Sequence, residues 1–259
     1  MAEEKLLIKE MHKIAILTIN NPPSNVLCSQ TLAELDVALT KAMDSARIRG
    51  IILTGQGEKI FAAGADIRDL ETFDEAKGVK AVTRDKEVFA KLFESSKPSV
   101  AALNGHALGG GLEMACSCDF RVAVKKAKLG VPEINLGVLP SLGGTQILPW
   151  LIGGARAKSL LLTGDAIKAQ EALEIGLVDR LVDEDELMGE AMEMAVALSG
   201  KPPLAYQGIK KALRAAMEMP FSEALKEETR LFGRLCATQD KIEGVRAFLE
   251  KRPARFKGL

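Results

Sequence analysis

The chain has 259 residues, 47% hydrophobic and 27% charged, which suits one large globular domain or one domain with an appendage. Its 35 basic and 35 acidic residues cancel, so broad binding to nucleic acid or to a membrane surface is not expected. The N-terminus is charged, and the most apolar stretch, 98–112, is too short and glycine-rich to span a bilayer. These features predict a cytoplasmic protein.

Four cysteines do not make a disulfide framework in a chain of this length. Cys116 and Cys118 are separated by one residue, a spacing that differs from that of zinc knuckles. We therefore interpret them as buried thiols and predict that the protein binds no metal.

Strand-like and helix-like segments alternate along the first two-thirds of the chain. Ile14–Ile19 is predicted to be a strand, and Thr31 with Glu34 forms a capping-box pattern ahead of a helix. Further along we predict three short buried strands, at 48–54, Ser99–Leu103 and Phe120–Val124. We also predict one long helix over 74–95. This alternation favours an α/β domain with parallel strands. The sequence lacks the glycine motifs of dinucleotide-binding folds and phosphate-loop NTPases.

The character of the sequence changes after about residue 199. Helices are predicted over 204–217, 222–236 and 241–251, and three such helices cannot enclose a core of their own. We therefore divide the chain into a core of residues 1–199 and a helical region of residues 200–259, which packs on the core or on a neighbouring subunit. The apolar residues that need such a surface are Leu225, Leu231, Phe232, Leu235, Val245 and Phe248.

A run of three glycines, 109–111, precedes apolar residues at helical spacing and predicts a loop that turns into a buried helix. The first N–H groups of a helix lack internal partners, and glycine lets an oxygen atom approach them. The run therefore suits a backbone oxyanion site, although a tight turn with close packing, or a phosphate-binding loop, explains this segment as well. A second small-residue stretch, 62–65, offers another N–H group or is a simple turn, and Asp66 is predicted to cap the next helix.

Two glutamates stand in apolar, glycine-rich surroundings, where a buried carboxylate is costly. Glu113 lies in the first turn of the predicted helix, and Glu133 follows Pro132. Taken singly, Glu113 is explained by charge complementarity at a helix start, and Glu133 is explained as a charge in a solvated loop. Paired carboxylates near an oxyanion site instead suit general acid–base work on a carbon next to a carbonyl.

In order and spacing together, these segments resemble the crotonase (enoyl-CoA hydratase/isomerase) superfamily, from about residue 14 to 257. The matching segments are 61–67, 104–113, 163–165, 169–172 and 176–178, of which none is specific alone. The resemblance implies an α/β fold, a spiral of repeated ββα units with a C-terminal helical trimerisation region. It also implies a homotrimer or a homohexamer built from two trimers.

The resemblance implies a reaction as well. The N–H groups of Ala65 and Gly110 would hold the thioester oxygen, Glu113 would take a proton from water, and Glu133 would deliver one to C2. Because both acidic positions are filled, we expect an enoyl-CoA hydratase that adds water reversibly across the 2,3 double bond and needs no metal or redox cofactor. The alternatives are another crotonase reaction, such as 3,2-enoyl-CoA isomerisation, or a non-catalytic CoA- or RNA-binding member.

Residues expected near the substrate form a larger set: Leu27, Ala63, Asp66, Ile67, Arg68, Gly109, Pro132, Ser141, Leu142, Phe232, Phe248 and Lys251. Arg68 either meets a CoA phosphate or is a plain surface charge. Phe232 and Phe248 either reach the CoA of an adjacent subunit or pack in the core. After Pro140 the family pattern begins with glycine, whereas this chain has Ser141, whose side chain narrows the pocket or helps to place water. The acyl group is therefore left open.

Overall fold

The structure is a computed structural model that describes residues 4–259, in which two β-sheets are surrounded by helices. The strands are β1 Leu6–Met11, β2 Ile14–Ile19, β3 Gly50–Gly55, β4 Ile60–Ala62, β5 Ser99–Leu103, β6 His106–Leu108, β7 Phe120–Val124, β8 Lys128–Gly130, β9 Ile167–Lys168 and β10 Arg180–Val182. The helices are α1 Ser29–Asp44, α2 Ile67–Glu71, α3 Glu75–Phe93, α4 Gly110–Ser117, α5 Gly144–Ile152, α6 Gly154–Thr163, α7 Ala169–Glu174, α8 Leu187–Ser199, α9 Pro203–Glu218, α10 Phe221–Cys236 and α11 Gln239–Leu249. A short 3₁₀ helix, Pro132–Leu136, lies between β8 and α5.

The larger sheet has six strands in the order β1-β2-β3-β5-β7-β10. All neighbours run parallel except β1, which pairs with β2 in the antiparallel sense. Every residue of β3 and β5 is buried, as expected for parallel strands covered on both faces. Helix α8 packs across β2, β3, β5 and β7, and so provides one of those covers.

The smaller sheet has the order β4-β6-β8-β9, and its first three strands are parallel. The chain alternates between the sheets, from β3 to β4, from β5 to β6 and from β7 to β8, with helices between these pairs. This is the predicted repeat of ββα units. Because β4, β6 and β8 are parallel, the loops that follow their carboxyl ends meet at one edge of the small sheet.

The strand predictions at Ile14–Ile19, Ser99–Leu103 and Phe120–Val124 are confirmed at both ends. The predicted capping box is wrong, because the N-cap of α1 is Cys28, three residues before Thr31. Thr31 donates its hydroxyl to the carbonyl of Val26, 3.2 Å away. Glu34 instead accepts hydrogen bonds from the backbone N–H groups at the start of β1. Its carboxylate thus holds an edge strand rather than a helix end.

The predicted C-terminal helices are present as α9, α10 and α11, and α9 is tied to the core. Asp119, just before β7, accepts a hydrogen bond from the Tyr206 hydroxyl at 2.9 Å and pairs with Lys210 at 2.6 Å. Phe232 and Phe248 are 68% and 84% exposed, so within one chain their interpretation as core residues is wrong. Among residues 4–259, no helix has the length and apolar character needed to cross a bilayer.

Candidate active site

Two small-residue loops approach each other at the edge of the small sheet. Gly64 follows β4 with φ +85°, and a Cβ atom at this residue would lie 3.0 Å from the Gly110 nitrogen. The Gly64 carbonyl is fixed by the N–H of Leu27 at 2.8 Å. A residue with a side chain at position 64 would therefore push the two loops apart, so glycine is required on steric grounds.

The start of α4 packs directly against β4. A Cβ atom at Gly111 would lie only 2.1 Å from the Ala62 carbonyl oxygen, which explains why this helix begins with glycines. Close packing and an anion site are therefore compatible explanations of the glycine run. Among the described residues, neither the Ala65 N–H nor the Gly110 N–H donates to a protein acceptor, so both donors are free to meet a ligand oxygen.

Glu113 lies in the first turn of α4 and is only 2% exposed. Its Oε1 accepts hydrogen bonds from the N–H groups of Leu142 at 2.8 Å and Gly144 at 2.7 Å. Burial raises the pKa of this carboxyl group to about 7, although the two N–H donors favour the charged form; the nearby Glu133 adds to the rise. Glu113 is thus held in place by one oxygen and titrates close to neutral pH.

Glu133 lies in the 3₁₀ helix after β8, and its side chain reaches over the loop that precedes α4. A Cβ atom at Gly109, which has φ +54°, would lie 2.6 Å from Glu133 Oε1. Within the described part of the chain, Glu133 Oε2 is buried without a hydrogen-bond partner. Burial raises the pKa of the carboxyl group. The interpretation of Glu133 as a solvated loop charge is therefore wrong, and the unsatisfied oxygen points to a ligand.

Leu142 links Glu113 to the start of α4. Its N–H holds Glu113, while its buried side chain places Cδ1 3.2 Å from the position of a Cβ atom at Gly110. Leu27 approaches the same position, with Cδ1 at 3.7 Å. Ser141 precedes Leu142 and is half-buried. These residues, predicted to lie near the substrate, are brought together with Glu113 and Gly110.

The residues after the first loop lie at the surface. Asp66 caps α2 as predicted, accepting the Arg68 N–H at 3.0 Å. Its carboxylate also pairs with the Arg68 guanidinium at 2.6 Å, and this contact lowers the pKa of Asp66. Ile67 is exposed, and Ala63 is half-buried with its N–H bonded to the Ser24 carbonyl. The predicted roles of these residues in CoA binding stay predictions, as do those of Pro132, Phe232, Phe248 and Lys251.

Two buried amides beside the site were missed by the sequence-based reasoning. Asn25 and Asn104 both donate to the Ile60 carbonyl, at 2.7 and 3.2 Å, and so fix the start of β4. Asn104 also accepts the N–H of Gly55 at 2.9 Å. An asparagine beside each loop was visible in the sequence, but nothing there showed that the two converge on one carbonyl.

The cysteines behave as predicted where they are buried. Burial raises the pKa of Cys116 and of Cys118 to about 12, so both remain thiols. Cys28 is half-buried and Cys236 is exposed. Over residues 4–259, no group of three or more His, Cys, Asp or Glu side chains is placed to hold a metal ion.

The family model described as "Enoyl-CoA hydratase/isomerase" matches residues 9–259. The chain belongs to this family. It is 42% identical to a crotonyl-CoA hydratase of Syntrophomonas wolfei, over 99% of both chains, and 40% identical to a short-chain-enoyl-CoA hydratase of Clostridium acetobutylicum, over 97% of both. A crystal structure of an enoyl-CoA hydratase from Bacillus anthracis aligns with a TM-score of 0.92, at 36% identity, covering 98% of this chain and all of that one.

These similarities confirm the predicted crotonase fold and the prediction of an enzyme of the hydro-lyase class, since full-length family relatives are enoyl-CoA hydratases. A CoA thioester as substrate fits the family.

Proposed function

We propose that this family member hydrates the 2,3 double bond of a 2-enoyl-CoA thioester, reversibly, using two glutamates and a backbone oxyanion hole. The observation that carries the proposal is the placement of two carboxyl groups of raised pKa around one pair of loops. Glu113 is fixed by two N–H groups beside Gly110, and Glu133 places a buried, unpartnered oxygen beside Gly109. A buried carboxyl group next to a second one that has a buried, unpartnered oxygen is costly to fold, and such groups are concentrated at functional sites.

The N–H groups of Ala65 and Gly110 would donate hydrogen bonds to the thioester carbonyl oxygen between the two loops. They polarise the C=O group, make C3 electrophilic and stabilise the enolate that forms as water adds. Gly110 is also the first residue of α4, whose dipole favours negative charge at this end. One donor of this kind contributes roughly 10²–10³ in rate.

Glu113 would act as the general base. Since its Oε1 is already occupied by two N–H donors, Oε2 is the oxygen that takes a proton from water as the water oxygen bonds to C3. A pKa of about 7 gives this carboxylate useful basicity near neutral pH.

Glu133 would act as the general acid and deliver its proton to C2. Burial favours its protonated form, which this role requires. After each turnover the proton on Glu113 must return to Glu133 through solvent. Dehydration uses the same groups with their protonation states exchanged. The proposed steps involve no metal or redox cofactor.

We also propose that the protein assembles as a trimer or a hexamer and resides in the cytoplasm. Large apolar side chains are exposed on the C-terminal helices, among them Phe221 on α10 and Phe248 on α11. Exposed apolar surface of this kind is typical of subunit interfaces. Light scattering should give three or six times the chain mass of 27.8 kDa, and a monomeric mass would contradict this part of the proposal.

The activity is tested by following the loss of conjugated-thioester absorbance when crotonyl-CoA is added to purified protein. Glu113→Gln and Glu133→Gln should each lower kcat by about 10²–10⁴, the usual contribution of a positioned acid or base. Glu58→Gln, at an exposed glutamate on the loop before β4, is the matched control and should keep full activity. Full activity in both site variants would contradict the proposed mechanism. Rapid conversion of a 3-enoyl-CoA without hydration would show that the enzyme is an isomerase and not a hydratase.

A further inference from the structure

Leu142 is the residue whose side chain comes closest to the position that a Cβ atom of Gly110 would occupy. Its Cδ1 lies 3.2 Å from the position of a Cβ atom at Gly110, and Leu27 Cδ1 lies 3.7 Å from that position. Gly64 Cα, at 3.5 Å, closes the third side. The space next to Gly110 is thus bounded by two leucine methyl groups and a backbone atom.

Leu142 cannot turn away from this position easily. Its backbone N–H donates to Glu113 Oε1 at 2.8 Å, so a movement of its main chain would also move the base. Its side chain is 9% exposed and packed among the core residues, and Leu27 is more buried still, at 4%. Well-packed interiors have low compressibility, so these methyl groups form a fixed wall.

The reacting carbons must lie beside that wall. C2 and C3 are one and two bonds from the carbonyl carbon whose oxygen binds Gly110, and C3 must also lie within reach of water held by Glu113. Leu142 lies beside both Gly110 and Glu113: its side chain packs next to Gly110, and its N–H binds the Glu113 carboxylate. We therefore expect substituents on C3 and the following carbons to contact Leu142.

We propose that Leu142, supported by Leu27, sets the upper size of the acyl group and restricts the enzyme to short, unbranched 2-enoyl chains. This inference rests on the proposed hydratase function and specifies its substrate. It assigns to Leu142 a role in specificity that a plain core leucine does not have.

The test compares kcat/KM for crotonyl-CoA, trans-2-octenoyl-CoA and 3-methylcrotonyl-CoA. The wild type should prefer crotonyl-CoA, since misfit of a methylene group changes kcat/KM by about 10–200-fold. Leu142→Ala should raise the ratio of octenoyl-CoA to crotonyl-CoA by about tenfold or more, and Leu142→Met, which conserves volume, should leave it nearly unchanged. Leu139→Ala is the matched control, because this leucine lies three residues earlier in the chain and is exposed.

The outcomes separate the two proposals. Absence of hydration of every enoyl-CoA by the wild type would overturn the hydratase function itself. An active wild type without chain-length preference, or a Leu142→Ala variant that loses activity equally on all three substrates, would overturn only the role of Leu142. Should Leu142→Ala fail to fold by circular dichroism, Leu27→Ala and Leu142→Val must shift the same ratio in the same direction, and a constant ratio in both rejects the inference.

Discussion

The chemistry of the site depends on how individual atoms of two glutamates are solvated. Glu113 has one oxygen bound by N–H groups, whereas Glu133 has a buried oxygen without a partner in the described chain. Burial raises the pKa of both groups. Their different hydrogen bonding supports the proposed assignment of different roles, with Glu113 as the base and Glu133 as the acid.

This difference predicts a bell-shaped dependence of kcat/KM on pH. The reactive form has one carboxyl group ionised and the other protonated, so activity should fall about tenfold per pH unit where both groups are protonated and again where both are ionised. Burial raises the pKa of both groups, and the value of about 7 for Glu113 places one of these two limbs near neutral pH. Because the two groups interact, the two apparent pKa values belong to the pair. Crotonyl-CoA hydration measured from pH 5 to pH 10 checks this, and a flat profile over that range would refute it.

A second prediction at this scale concerns Gly144. A Cβ atom there would lie 2.9 Å from Glu113 Oε1 and 3.1 Å from Pro140 Cβ, so Gly144→Ala should displace the carboxylate. We expect kcat to fall by about 10² while the fold is kept, because a displacement of about 1 Å can have that effect. Gly154→Ala, where nothing lies within 4 Å, is the control. Equal activity of the two variants would mean that the position of Glu113 is not set by this contact.

The sequence showed the two carboxylates but not what holds them. The donors to Glu113 are backbone N–H groups of residues 142 and 144, which carry no side-chain signature. Glu133 was open to interpretation as a loop charge because its burial depends on how the loop over Gly109 is folded. The sequence therefore showed that two carboxylates stand among apolar residues, whereas the hydrogen bonding and burial of each carboxylate depend on tertiary structure.

At the scale of elements, the strands that were predicted well are those buried on both faces. The runs at β5 and β7 are apolar except for Ser99 and Arg121, so their bounds were readable. Strands β4, β6 and β8 have three residues each, which is too short for any periodicity. These short strands place the loops of the proposed site, so the scaffold was easier to predict from the sequence than the parts that form the site.

The contact between α4 and β4 leads to a prediction about stability. A Cβ atom at Gly111 would lie 2.1 Å from the Ala62 carbonyl oxygen, so Gly111→Ala must separate the helix from the strand. We expect the free energy of unfolding to drop by about 2–4 kcal/mol, as for other overpacked positions. Gly189→Ala within α8 is the matched control, since nothing lies within 4 Å and alanine favours a helix; it should stabilise by about 0.5–1 kcal/mol. Urea unfolding measures both, and equal effects would contradict the packing argument.

At the scale of the whole molecule, the C-terminal helices are attached to the core through a small polar junction. Asp119 accepts hydrogen bonds from the Ser99 backbone and hydroxyl as well as from Tyr206, and it pairs with Lys210. The junction therefore joins the start of β5 and the start of β7 to α9. The predicted division at residues 199 and 200 falls between α8 and α9, a few residues before this contact.

If this junction fixes α9, removing the charge of Asp119 should loosen the C-terminal region from the core. In Asp119→Asn the Lys210 ammonium loses its carboxylate partner at 2.6 Å and keeps only the Ser95 carbonyl at 3.0 Å; both side chains of the pair are largely buried, 20% and 14% exposed. We expect the free energy of unfolding to fall by about 2 kcal/mol, less than the roughly 3–5 kcal/mol of a fully buried pair because both groups retain some water.

Asp183→Asn is the control: its pair with Lys125 is 55–60% exposed and should contribute under about 1 kcal/mol. Urea unfolding at one fixed protein concentration compares the two, and light scattering should show more dissociation of the assembly in Asp119→Asn, because the exposed apolar helices α9 and α10 then lose their fixed orientation. Equal midpoints for the two variants would show that α9 is held by its apolar contacts alone.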